Sequence, residues 1–374
     1  MQDDQRIIHL WQETLEQAFL ENATDVHIEA QEEFTHLRFR VDGSLRTYRR
    51  IKVTYHEHLC AHIKVLAQLD IAEKRLPQDG RLNFTLGLAK PANNSIHKID
   101  CRVSTLPTIY GEKIVVRLLT NAYGNLRIEQ LGYDPEQLLK VQSCLNAPQG
   151  LILVTGPTGS GKTLTLYTFL ALLNDGTRNI STVEDPPEIM LSGVNQVAVN
   201  EKSGMDFAKS LRAMLRQDPD IIMIGEIRDS ITAQTALQAA QTGHLVLATL
   251  HTNSCVSTIT RLRYLGCEKD VLAQSLLLVT AQRLLRKRCT FCTSLDASCS
   301  HCQNTRYLGR FAVHEVLKLD TIIRNAIENE VYSNHLLKLA QDQGMSSLLT
   351  QSELYVKKGI TTASEVLSKI GSMS

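Results

Sequence analysis

Aromatic side chains, net charge and long apolar runs are all scarce in this 374-residue sequence. Aromatics make up 5%, with a single Trp, and they are not interleaved with basic residues as a base-stacking platform requires. Forty Lys plus Arg face thirty-nine Asp plus Glu, so the formal charge of +1 leaves no basic excess for a general nucleic-acid binder. No apolar run approaches the roughly 18 residues of a membrane span. The opening Met1-Gln2-Asp3-Asp4-Gln5 lacks the basic and apolar parts of a signal peptide. Nine cysteines are odd in number and too sparse for a secreted disulfide scaffold. What is present, 43% hydrophobic and 21% charged residues, excludes whole-chain disorder. These features predict a cytosolic, reduced, soluble protein of two domains.

Residues 1–120 read as a small α+β domain. Ile7, Trp11, Leu15 and Phe19 recur at helical spacing over 5–23. Val26 and Ile28 alternate with Asp25, His27 and Glu29, and Asp42-Gly43 marks a hairpin between strands near 37–41 and 45–50. A helix with Leu59, Ile63 and Leu66 inward is expected next, then a turn at Gln78-Asp79-Gly80 into a strand. A loop over 87–97 and strands at 98–105 and 112–119 complete the domain. Residues 121–129 read as a linker. From 130 the rhythm changes. Apolar strands at 151–155, 180–183, 220–224 and 245–249 alternate with helices at 162–173, 206–216, 232–242 and 256–264, the pattern of a parallel α/β sheet. A cysteine-rich insert at 286–305 and C-terminal helices over 315–374 follow.

The decisive segment follows the strand ending at Thr155. Gly156-Pro157-Thr158-Gly159-Ser160-Gly161-Lys162-Thr163 matches G-x-x-x-x-G-K-T between a strand and a helix. Glycines let backbone N–H groups curl around phosphate oxygens, and the helix N-terminus adds positive potential. Lys162 is expected on the β- and γ-phosphates of ATP and the Thr163 hydroxyl on Mg²⁺. A hydrolase also needs an acid beside this loop. Glu226, just past the strand Asp220–Ile224, is the choice for polarising water, the alternative being an N-cap or a partner of Arg228. Glu184-Asp185 ends another strand and could hold Mg²⁺ through water, or be a solvated strand end.

Leu215-Arg216-Gln217-Asp218-Pro219-Asp220 through Gly225-Glu226-Ile227-Arg228-Asp229 resembles the signature of the type II secretion and type IV pilus assembly ATPases. Thr182-Val183-Glu184-Asp185-Pro186-Pro187-Glu188 resembles their Asp box, with Pro187 where an aliphatic residue is usual. Thr242-Gly243-His244 and Thr249-Leu250-His251-Thr252-Asn253 resemble their His box. Asp25-Val26-His27-Ile28-Glu29 and Arg102-Val103-Ser104-Thr105-Leu106-Pro107-Thr108 match in the first domain. The resemblance implies a homohexameric ring, a RecA-like ATPase domain and a PAS-like first domain. It further implies that Arg102 and Arg117 approach the γ-phosphate, and that His244 and His251 link nucleotide state to domain movement. Surface salt bridges for the arginines and satisfied core positions for the histidines are the alternatives.

Cys289-x-x-Cys292 and Cys299-x-x-Cys302 carry the ligand spacing of a closed, structural Zn²⁺ site, with unligated or redox thiols as the alternative. Cys60, Cys101, Cys144, Cys255 and Cys267 read as small core residues. By resemblance, such a cluster marks the assembly rather than the retraction branch. The short spacing between the cysteine pairs and the lack of an extra N-terminal domain resemble the compact competence-pilus ATPase of Gram-positive bacteria, a DNA-uptake system. A minimal secretion ATPase shares both features. The implied partner is an inner-membrane platform protein met from the cytoplasmic face, without direct nucleic-acid contact. Arg283-Leu284-Leu285-Arg286-Lys287-Arg288 reads as a solvated helix face or a platform-docking surface, and a nucleic-acid motor is the alternative it would serve.

Overall fold

The computed structural model describes residues 2–87, 96–119, 127–200, 203–292 and 298–371. The chain forms two compact units, Met1–Ala122 and Tyr123–Ser374. Most of the expected 87–97 loop and 121–129 linker lies outside the described residues.

The first unit contains α1 (Gln2–Leu20), β1 (Asp25–Ala30), β2 (Phe34–Val41), β3 (Ser44–Lys52), α2 (His56–Leu66), β4 (Gln78–Gly87), β5 (Ile96–Thr108) and β6 (Gly111–Leu119). Its antiparallel sheet has the order β3-β2-β1-β6-β5-β4. The period of two decides which face is buried: Val26, Ile28, Leu37, Phe39, Val103, Ile114 and Val116 pack against Trp11 and Leu15 of α1 and Leu59 and Ile63 of α2. Leu66, expected inward, is 44% exposed at the end of α2. Gln78-Asp79-Gly80 is not a turn but the start of β4, opposite Thr105, Ser104 and Val103. Gly80 serves close approach instead, since a Cβ there would lie 2.6 Å from the Ala67 carbonyl oxygen.

The second unit contains α3 (Pro135–Leu145), β7 (Gly150–Thr155), α4 (Lys162–Leu173), β8 (Ile180–Glu184), β9 (Asn195–Ala198), α5 (Phe207–Met214), β10 (Ile221–Ile224), α6 (Ser230–Gln241) and β11 (Leu245–Leu250). It continues through α7 (Cys255–Tyr264), α8 (Lys269–Ser275), β12 (Leu276–Arg288), β13 (Tyr307–Lys318), α9 (Thr321–Glu328), α10 (Ser333–Asp342), α11 (Leu348–Lys357) and α12 (Ala363–Ile370). The sheet order is β13-β12-β7-β11-β10-β8-β9, parallel except for β12–β13. Ile152, Val154, Met223 and Leu247 pack on the α3/α4 side, whereas Leu151, Leu153, Ile222 and Val246 pack on the side of α5 to α8. Burial on both faces explains why these strands read as unbroken apolar runs.

The expected break after residue 285 is instead a long hairpin. β12 runs to Arg288 and β13 resumes at Tyr307, so the cysteine segment is its connecting loop, and helix begins only at Thr321. The basic run is therefore strand and not a helix face. Arg283 is 7% exposed, and Arg286 pairs with Glu365 of α12 through Nε at 2.9 Å. Among the described residues no helix is long and apolar enough to cross a membrane.

Candidate active site

Parallel strands end their carboxyl edges together, and the switch in strand order opens a crevice there. β7 delivers Gly156 to Thr163 to this edge, and α4 begins at Lys162. Pro157, Thr158 and Gly159 are exposed while Ser160 is buried. Gly156 has φ of 148°, a region closed to ordinary side chains. The Ser160 hydroxyl is buried with no hydrogen-bond partner among the described residues, an orphan polar atom of the kind an oxyanion satisfies. Lys162 Nζ donates to the carbonyls of Gly156 at 2.8 Å and Pro157 at 3.0 Å. Burial pushes the Lys162 pKa down to about 8, with Glu226 opposing the shift and Arg283 adding to it.

The acids arrive from the neighbouring strands. Glu226, past the end of β10, pairs with Arg228 and lies 3.4 Å from His251 Nε2. Arg228 reaches Asp185 at 3.6 Å. Lys162, Glu226, Arg228, Asp185 and His251 thus share one edge of the sheet, and the Arg228 partnership weighed from sequence coexists with the site. Glu184 turns into the layer beneath α4. Tyr167 donates to its Oε2, while Thr182 at 2.6 Å and Gln196 at 3.1 Å donate to Oε1. Thr163, in the first turn of α4, and Asp185 offer the oxygen donors that Mg²⁺ requires.

His244 is not brought to this edge. It precedes β11, its carbonyl accepts from Gly150 N at 3.0 Å, and its Nδ1 donates to the Ala239 carbonyl at 2.9 Å. Gly150 begins the strand whose other end is the phosphate loop, so His244 lies roughly 17 Å from that loop at ~3.3 Å per residue.

In the first unit the register sets Arg81, Arg102 and Arg117 directly opposite one another on β4, β5 and β6, so the three share a face. Asp25 lies opposite Arg117 on β1, accepting from its Nε at 2.9 Å and pairing with Arg40 at 3.7 Å. Arg81 was missed from sequence, because the turn assigned to Gln78-Asp79-Gly80 left it outside any register. Gln282 was missed as well. It donates to the Ser160 carbonyl at 2.6 Å from a strand that sequence periodicity did not reveal.

The four cysteine sulfurs of Cys289, Cys292, Cys299 and Cys302 lie within 4.8 Å of one another, with Cys289–Cys299 at 4.0 Å and Cys292–Cys302 at 3.4 Å. A tetrahedral Zn²⁺ at ~2.3 Å from each sulfur sets them about 3.8 Å apart, so the residues fit the ion. The other cysteines, Cys60, Cys101, Cys144, Cys255 and Cys267, are buried apart from this cluster.

A family profile described as type II/IV secretion system protein matches residues 1–368. The type II secretion system protein HxcR of Pseudomonas aeruginosa is 47% identical over 372 residues, covering 98% of this chain and 78% of HxcR. The chain belongs to the type II/IV secretion system protein family. This secretion-family chain is also 42% identical to the type IV pilus assembly ATPase PilB of Pseudomonas aeruginosa, over 97% of its length and 67% of PilB. Among solved structures, the pilus retraction motor PilT with bound ADP matches with a TM-score of 0.65 at 27% identity over 97% of each chain. The ATPase DotB of Yersinia pseudotuberculosis matches at 0.73 and 21% identity, over 97% and 93% of the two chains, a likeness of fold alone. A secretion-family chain with this α/β fold is an ATPase.

Proposed function

We propose that the chain is a homohexameric motor that hydrolyses ATP to assemble a type IV pilus-like filament, working on a membrane platform protein from the cytoplasmic face. The secretion filament, the pilus and the competence pseudopilus are the loads in view. The observation that carries the reading is the convergence of Lys162, Glu226 and His251 on the carboxyl edge of the sheet. Loop amides and Lys162 bind and orient the phosphates of ATP. Glu226 accepts the proton of the attacking water, and Arg228 and His251 fix its carboxylate. Thr163, and Asp185 through water, would hold Mg²⁺, which would supply charge neutralisation on the phosphate oxygens. In this reading the PAS-like first unit contributes Arg102 and Arg117 to the charge that develops on the transferring phosphoryl group, and the RecA-like second unit contributes the loop.

The cysteine knuckle supports assembly as the direction of work. A structural Zn²⁺ there would order the hairpin and, through it, the C-terminal helices. Arg288 N donates to the Ile360 carbonyl at 2.7 Å, and Tyr307 OH meets Thr362 Oγ1 at 2.6 Å. Purified protein is expected to carry one zinc per chain, and Cys289→Ser to lose both the metal and thermal stability. Zinc-free protein of unchanged stability would remove this role.

The match to the retraction motor PilT favours a second reading, withdrawal of the filament. A deletion strain separates the two. Loss of filaments supports assembly, whereas abundant filaments that cannot be withdrawn support retraction. ATP hydrolysis by purified Lys162→Ala at the wild-type rate would overturn both.

A further inference from the structure

From Leu278, β12 runs beside β7 in register as far as Ala281 opposite Thr155. There β7 turns into the phosphate loop while β12 continues, which places Gln282 against the loop's flank. Gln282 is 1% exposed. Its Nε2 donates to the Ser160 carbonyl at 2.6 Å, and its Oε1 accepts from Thr165 Oγ1 at 2.9 Å. One side-chain amide therefore joins the crown of the loop to the first turn of α4. The backbone of Gln282 bounds the same loop, since a Cβ on Gly156 would lie 2.6 Å from its carbonyl oxygen. A Cβ on Gly161 would lie 3.2 Å from Nε2.

The peptide between Ser160 and Gly161 is planar and trans, so its C=O and N–H point in opposite directions. Holding the carbonyl outward on Gln282 turns the Gly161 N–H inward, toward the space the loop encloses. We infer that Gln282 is a positioning residue for ATP, holding the Ser160 carbonyl so that the Gly161 amide is aimed at the phosphates before they arrive. This rests on the assignment of the loop as the ATP site. A donor fixed in advance lowers the ordering cost of binding. It serves ground state and transition state alike, so its loss raises KM more than it lowers kcat.

The test is steady-state hydrolysis by the full-length protein, with MgATP as the varied substrate. Gln282→Met keeps the volume and removes both hydrogen bonds. It is expected to raise KM roughly ten-fold, the scale of one buried hydrogen bond, with kcat changed less than about three-fold. Gln282→Glu keeps the shape and can still accept from Thr165, but as a carboxylate it cannot donate to Ser160. Its KM is expected to rise at pH 8, where the carboxyl is ionised, with wild-type KM at the same pH as the reference. If Gln282→Met fails to fold, Gln282→Glu decides. A wild-type KM in either folded variant, or a loss confined to kcat, overturns the role of Gln282. If wild type binds MgATP no better than Lys162→Ala, the nucleotide-site assignment itself falls.

Discussion

The two units arrange arginine differently along their strands. In the second unit Arg283, Arg228 and Arg286 are each tied to oxygens of the same unit. Arg283 bonds Asn253 Oδ1 at 3.0 Å and feels the Glu315 carboxylate, and Arg228 pairs with Glu226 and Asp185. Arg286 pairs with Glu365. In the first unit Arg38, Arg46 and Arg49 are ion-paired as well, but the register also lines up Arg81, Arg102 and Arg117 side by side across the strands, with Asp25 pairing Arg117 at the end of the row. Like charges directly opposite destabilise a sheet. Residue type alone does not separate these two uses of arginine. Register does.

Glu226→Gln should cause the largest change, because it keeps the shape of the site and removes the base. Turnover is expected to fall by at least about 1000-fold, about 4 kcal/mol, in a phosphate-release assay. A wild-type rate would move the chemistry away from this edge. His314 is next, as a buried base of the second unit kept neutral. It stacks on Tyr133 at 3.9 Å and donates to the Leu131 carbonyl at 2.8 Å, and burial pushes its pKa down to about 4. Between pH 6.5 and 4 the unfolded chain binds a proton that the folded chain refuses. Stability is therefore full above 6.5 and falls toward pH 4, by about 3 kcal/mol from this group. Denaturant titration across that range should show a shallower loss for His314→Gln than for wild type, and equal slopes would remove His314 as the cause.

Arg117→Ala tests the other side of the comparison. It should lower kcat about 100-fold while leaving ATP affinity within about three-fold. Asp25→Asn, which removes the 2.9 Å ion pair but keeps the guanidinium, should cost about ten-fold. Full activity in both variants, with a lowered thermal midpoint, would reduce the row to a structural role. The smallest effect comes from Lys162. The charged amine binds phosphate and gives way to the neutral form as pH rises through about 8, so MgATP affinity should fall about ten-fold between pH 7 and 9. Glu226 holds that pKa up, so Glu226→Gln should move the fall to lower pH. An unmoved profile would show that the two groups do not interact.

Much of this was legible in the residues. Helix α4 spans Lys162–Leu173 as the spacing predicts. The Asp42-Gly43 turn joins β2 to β3. The misses share a cause. Leu276 to Leu285 is apolar enough to be helix or strand, and only pairing with both β7 and β13 makes it strand. Gln78-Asp79-Gly80 has turn composition, but its glycine serves the approach of Ala67. His244 lies only seven residues from His251, yet those residues are a strand, so the two sit at opposite ends of it.

The phosphate loop, the paired cysteines and the acid after β10 were set by sequence alone, because each depends on residue types at short fixed spacing. Tertiary structure decided what sits across from what. It brought Gln282 to Ser160 over a separation of 122 residues, set three arginines abreast, turned Glu184 inward and left Glu226 beside His251. The physical reason is that local spacing sets the chemistry a segment can offer. Strand order and register, which depend on burial shared by distant segments, set which partners that chemistry meets.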